Sequence, residues 1–413
     1  MRWFILANHF FFFFALQGFA TQWTVDQKGD LRSIRKAIAL AKPFDTVFVN
    51  AGIYREGNII IDKPLVILGR DFPVIDGERT VEIFTIKAHD VTLSGLKITN
   101  SGKGNIEDIA AINAISVKRL KVVGNQLENT FFGIHLTGSS HCLIEGNTLR
   151  SGVKEQSLSG NGIHLWKCDS SVIRKNTVEG HRDGIYFEFV TASLIENNYS
   201  HNNLRYGLHF MFSNDDEYRN NTFQNNGAGV AVMFTKGVKM YNNSFLDNWG
   251  ASVYGILLKE ISDCIIAENK FHRNTMGLYL EGVSRGEIRD NDFRSNGWAI
   301  KMQASSIANT FEGNNFFNNT FDVSTNGSVM ENKIMGNYWD KYEGYDLNRD
   351  GTGDVPFYPV SLYSMIVEKM PTAIMLWRSF LVFLLDRTEK LMPVVTPLEL
   401  KDSHPRMRAY DRG

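Results

Sequence analysis

Only three cysteines, Cys142, Cys168 and Cys264, occur in 413 residues, too few for a disulfide framework. Positive charge is not in excess either. Lys and Arg number 44 against 45 Asp and Glu, with no basic run, which argues against a nucleic-acid partner. Nor does any apolar run promise a full membrane span. Near the amino terminus Phe10 to Leu16 is short. Towards the other end Ala373 to Leu385 would reach about 20 Å as a helix, against a hydrocarbon core of roughly 30 Å.

What is present in abundance is a repeat. Asparagine followed closely by an apolar residue recurs at Asn125, Asn147, Asn176, Asn198, Asn221, Asn243, Asn269, Asn291, Asn314 and Asn332. Successive differences are 22, 29, 22, 23, 22, 26, 22, 23 and 18. A period near 22 that tolerates insertions is the signature of a solenoid. A second motif runs in phase: Gly133-Ile-His-Leu, Gly162-Ile-His-Leu, Gly184-Ile-Tyr-Phe and Gly207-Leu-His-Phe begin a series that continues to Ala299-Ile-Lys-Met. Its alternation is that of a half-buried strand. Two or three short strands per repeat, with Gly and Asn turns, predict an all-β fold, a right-handed parallel β-helix. The asparagines suit its turns because Asn tolerates left-handed backbone, and stacked amides can form a ladder of hydrogen bonds. Their role is scaffold.

Stacking brings residues at equal phase into vertical columns. Ile144, Ile173, Ile195, Met240, Ile266 and Ile288 form an inward column, and Met302 also faces in. Cys142 and Cys264 share a column five coils apart, roughly 24 Å at about 4.8 Å per coil. A disulfide needs Cα atoms within about 7 Å, so the cysteines are small core or turn residues.

Two places after the glycine an outward column reads His135, His164, Tyr186, His209, Ala231, Leu257, Tyr279, Lys301. Four places after it the column reads Thr137, Trp166, Glu188, Met211, Met233, Lys259, Glu281, Gln303. Within Leu208-His-Phe-Met-Phe the alternation sends Leu208, Phe210 and Phe212 inward and His209 and Met211 outward. His209, Met211 and Met233 thus make a candidate metal site, beside Glu188. Thioethers select Cu(I), and imidazole suits copper. The competing reading is a methionine-rich docking surface. His135 and His164 lack a thioether neighbour.

The chain ends carry further expectations. Residues 1–20 read as an export signal, with Arg2, the apolar stretch and Gly18-Phe-Ala20. An amphipathic segment from Asp30 to Ala41 predicts a helix capping the first coil of a β-helix spanning 21–335. The remaining 336–413 form a C-terminal cap. Within it Asp346, Asn348, Asp350 and Asp354 match the first half of a calcium loop, yet Phe357 stands where the bidentate Glu belongs. A self-bonded Asx turn is the alternative. The apolar tail, with Trp377, Phe380 and Phe383, predicts a segment that docks on a membrane protein, lies on a bilayer surface or packs on the last coil.

The run Arg205-Tyr-Gly-Leu-His-Phe-Met-Phe-Ser-Asn-Asp-Asp, the neighbouring Gly-Ile repeats, Gly336-Asn-Tyr-Trp-Asp and the apolar tail resemble the NosD family, from about Leu31 onward. The repeats alone are shared with sugar-acting pectin-lyase-like (CASH-type) β-helices. The resemblance implies a non-enzymatic periplasmic accessory protein of nitrous oxide reductase maturation. It would work with an ABC-type ATPase and its permease, take Cu(I) transiently from a lipoprotein chaperone and present it to the apo-reductase. Two rival readings remain. One is a β-helix enzyme on acidic polysaccharide, for which Asp215, Asp216 and Glu188 are the nearby carboxylates. However, the Asp-Asp with Gly-His-Gly set of polygalacturonases and the Asp-Pro-His-Asp of alginate epimerases are both missing. The other is a metal-free adaptor between permease and client.

Overall fold

A computed structural model describes residues 20–104, 108–250, 253–327, 331–391 and 400–412. The expected export signal lies outside them except for Ala20. Each coil lays down three short strands, and equivalent strands stack in parallel. Among the described residues this gives sheets of 14, 13 and 12 strands. The parallel solenoid expected from the 22-residue period is therefore the fold.

Three inward columns meet along the axis. In the first sheet Val122, Ile144, Ile173, Ile195, Tyr218, Met240, Ile266 and Ile288 are in register and buried. In the second, Phe223, Phe245, Phe271, Phe293 and Phe316 stack with ring centroids 4.6 to 5.5 Å apart, and Trp339 closes the pile at 4.0 Å. Such offset stacking adds to the area that the rings bury. Ile185, Leu208, Val230, Ile256 and Leu278 line the third. The three cysteines are free and buried.

At one corner the asparagines form the expected ladder. Each side-chain oxygen accepts from the backbone N–H and the amide of the Asn one coil earlier, and each amide also donates to a carbonyl: Asn198 to Asn221 and Asn221 to Asn243 at 3.0 Å, Asn221 to Ile195 O at 2.9 Å. Two details differ from expectation. The ladder continues from Asn314 to Asn337, not Asn332, restoring a step of 337 − 314 = 23. Asn332 instead pairs with Asn309 in a neighbouring column. Nor are the ladder asparagines the left-handed residues. That conformation falls one place earlier, at Lys175, Asn197, Asn220, Asn242, Glu268 and Asp290, or at Gly124, Gly146 and Gly313. The ladder residue spends its amide on neighbours, and its predecessor makes the bend. A second ladder, unforeseen from sequence, runs through Asn203, Asn226, Asn248, Asn274, Asn296 and Asn319 at another corner.

Both ends are covered. Helix α1 (Ile34–Leu40) buries Ile34, Ala37 and Ile38 over the first coil, capped by Ser33 and by Glu56, which accepts from the Ile34 and Arg35 amides. At the far end α2 (Leu362–Lys369) and α3 (Phe380–Leu391) flank a 3-10 turn over Pro371–Leu376. Tyr363, Val367, Ala373 and Val382 pack with Phe321 of the last coil. The tail is therefore two broken pieces, not one helix, and part of it packs intramolecularly. Residues 400–412 then return as a strap. Asp402 accepts from the Gly336 and Asn337 amides, the Asn337 side chain and the Trp339 indole at 2.9 to 3.1 Å, ending the first ladder.

Candidate metal sites on the third sheet

The outer face of the third sheet carries both outward columns in the expected register. His135 pairs with His164, His164 with Tyr186 and Tyr186 with His209. Glu188 pairs with Met211 and Met211 with Met233. Outward does not mean exposed, however: His135, His164 and His209 are only 8, 7 and 6% accessible.

In the first cluster, Met211 and Met233 lie on adjacent strands, both half-buried, with His209 two residues before Met211 on the same face. The His209 Nδ1 sits 3.5 Å from the carboxylate of buried Asp183, while its Nε2 has no hydrogen-bond partner. A carboxylate behind an imidazole fixes the ring and points the other nitrogen at a ligand. Arg205 clamps the same carboxylate from the other side through Nε at 2.8 Å and through a second guanidinium nitrogen. Burial alone would raise the Asp183 pKa, but the hydrogen bonds from Arg205 and His209 outweigh it and keep the carboxyl ionised below its usual range. Tyr186 rests its hydroxyl 3.3 Å from Glu188 and 4.0 Å from the Met211 sulfur. Burial, then the Glu188 charge, push that phenol up to about 12, so it stays a donor. Asp183, Arg205 and Tyr186 were not singled out from sequence as site residues. Asp183 stands just before the glycine of its repeat, so the column logic could have found it.

Phe212 departs from the expected alternation. The strand ends at Met211, Phe212 adopts φ 51°, and its ring stacks outside between Phe189 and Phe234 at 5.1 and 5.2 Å. The chain bends there, so the period-2 rule stops one residue early.

In the second cluster, His135 and His164 stack with centroids 4.6 Å apart. Asp108, from the insertion preceding the third-sheet strand Ala110–Ile115, joins them, with one donor atom of each residue within 4.8 Å of the others. Among the described residues this is the single gathering of three His, Cys, Asp or Glu donors. Burial lowers the His164 pKa to about 3, aided by His135 and Arg182, so the ring is neutral and able to ligate.

The remaining expected residues fare differently. Asp346, Asn348, Asp350 and Asp354 turn their oxygens onto backbone: Asp346 accepts from the Asp350 and Gly351 amides, Asn348 from Asp350, Asp350 from Thr352 and Asp354 from Leu347. This is the geometry of a self-bonded turn. Trp377 is partly committed to the cap, stacked on Tyr363 at 5.9 Å and edge-on to Phe321. Phe380 and Phe383 are exposed, at 78 and 54%. Among the described residues no helix is long and apolar enough to cross a membrane. Asp216 is fully buried, with Oδ1 on the Ser193 amide, so it cannot serve an open catalytic pair with Asp215.

A family profile described as "Periplasmic copper-binding protein (NosD)" matches residues 150–344. A "Probable ABC transporter binding protein NosD" of Pseudomonas aeruginosa is 29% identical over 377 residues, covering 87% of either chain. Its namesake from Stutzerimonas stutzeri is 26% identical over 379 residues, covering 87% of this chain and 86% of its own. The chain is thus similar to NosD proteins over most of its length. The profile match spans His164, His209, Met211 and Met233 of the two clusters, but stops short of Asp108 and His135. Solved structures give the fold alone. The mannuronan C-5 epimerase AlgE6 A-module of Azotobacter vinelandii aligns at TM-score 0.55 and 14% identity, over 76% of this chain and 93% of its own. The α-1,3-glucanase catalytic unit of Streptomyces thermodiastaticus aligns at 0.58 and 14%, over 74 and 65%. The pneumococcal adhesin PfbA aligns at 0.53 and 13%, over 68 and 85%. Enzymes and an adhesin sharing the scaffold leave function to the side chains.

Proposed function

We propose that this NosD-like protein carries Cu(I) in the periplasm and hands it on for assembly of the nitrous oxide reductase copper site, without catalysing a reaction itself. The observation that carries the reading is the in-register pair Met211 and Met233 beside His209, whose Nε2 is buried, unpartnered and braced by Asp183. Two thioethers and one imidazole form a soft set that favours Cu(I) over Ca(II) or Mg(II). The Glu188 carboxylate one strand away is a reserve ligand during exchange.

In this reading an exported chain receives the ion from a lipoprotein chaperone and yields it to the apo-reductase. An ABC permease and its ATPase hold it at the inner membrane through the exposed Phe380 and Phe383 side of α3. Calcium enters only as a stabiliser of the loop Asp346 to Asp354, which a rise in Tm on adding calcium would reveal.

Anaerobic titration with Cu(I) against a chromophoric chelator tests the copper site. Wild type should bind one tightly held ion at this cluster, and Met211→Ala with Met233→Ala should lose it. Asp183→Asn should weaken it by roughly 10- to 100-fold, the range for a partner behind a ligating imidazole. An unchanged stoichiometry in the double variant leaves only the adaptor reading.

A further inference from the structure

We propose that Asp108, His135 and His164 form a second metal site, two to three strands from the thioether cluster, that takes a divalent first-row transition ion. The two imidazoles sit in register on neighbouring strands, fixed by backbone hydrogen bonding. Phe132 stacks on both rings at 5.7 and 5.6 Å, and Tyr186 meets the His164 edge at 4.7 Å. Neither ring can turn away to find another partner. Yet His135 Nδ1 and both His164 nitrogens are buried without any hydrogen-bond partner, while His135 Nε2 reaches Thr137 Oγ1 at 3.4 Å. Leaving a buried polar atom unpaired is costly, and a coordinated ion would satisfy one nitrogen of each ring.

Asp108 completes the set from the exposed side. Three protein donors with one open position describe a site that can exchange its ion. The donors decide the class of ion. Two imidazoles and a carboxylate without sulfur suit Zn(II), Ni(II) or Cu(II) and serve Cu(I) poorly. The inference therefore stands apart from the Cu(I) reading, and Asp108 and His135 lie outside the stretch that the family profile matches.

Calorimetric titration of the full exported chain with Zn(II) tests it. Wild type should take up one equivalent, and the Met211→Ala, Met233→Ala double variant should do the same. Asp108→Ala should weaken binding by more than the roughly 10- to 100-fold that even outer-shell partners contribute. His164→Gln should abolish it. Should His164→Gln fail to fold, Asp108→Ala decides, since its side chain is exposed. No Zn(II) uptake by wild type, or equal affinity in Asp108→Ala, overturns the site. A Cu(I) titration of Asp108→Ala alongside separates the two clusters, because it should match wild type.

Discussion

Asn221→Ala should destabilise the protein by about 3–5 kcal/mol, since several buried donors and acceptors lose partners at once. The Asn221 oxygen accepts two hydrogen bonds from Asn198, and its amide donates to the Ile195 carbonyl and to Asn243. Alanine leaves the Asn198 N–H and the Ile195 carbonyl facing a small void in a dry corner. In a stack where each coil touches only its neighbours, a fault at the middle weakens both halves. Asn220, one residue away, makes the instructive contrast. It is exposed with φ 55°, so Asn220→Gly should stay within about 0.5 kcal/mol of wild type. Urea unfolding of the pair measures the difference. Equal midpoints would mean the ladder contributes nothing beyond its turns.

Asp216→Asn should raise Tm at pH 8, by a margin over wild type that grows from pH 4 to pH 8. Burial raises the Asp216 pKa from 3.8 to about 8, only partly countered by the Ser193 amide and Tyr218. The sign follows from linkage. Below pH 4 the carboxyl is neutral in both states. Between pH 4 and 8 the unfolded chain ionises and the folded one does not, so the contribution of this one group to stability declines, by an amount of order 5 kcal/mol. Asparagine has no charge to bury. Its oxygen can still accept from Ser193, and its amide can donate as Asn309 does to Val283 four rungs along the same column. On the acid side both proteins should weaken together. Burial lowers His164 to about 3 and His181 to about 4, so protonating the unfolded chain below its usual histidine range draws the equilibrium away from the fold. Melting curves across pH 4 to 8 that run parallel for the two proteins would refute the argument.

The fold was legible because a solenoid writes itself into sequence one coil at a time. The 22-residue step gave the sheets, the inward columns and the register of Met211 on Met233 without tertiary information. The errors fell where the chain leaves its period. The step of 18 to Asn332 broke the pattern and marked a different ladder. Phe212 lies at a bend where alternation no longer applies. Asp108 belongs to an insertion outside the columns, so no phase argument could carry it to His135 and His164. Covering of the outer histidines was equally invisible, because it comes from rings such as Phe132 one column away. Repeats fix what lies at equal phase; insertions and bends need coordinates.

Asp402 plugs the last rung from a distance of 65 residues along the chain. Cut before it, the protein would present a bare strand edge and open amides, an invitation to end-on polymerisation. A bulky fusion at the carboxyl terminus runs a similar risk of prising out this stopper, so affinity handles belong elsewhere.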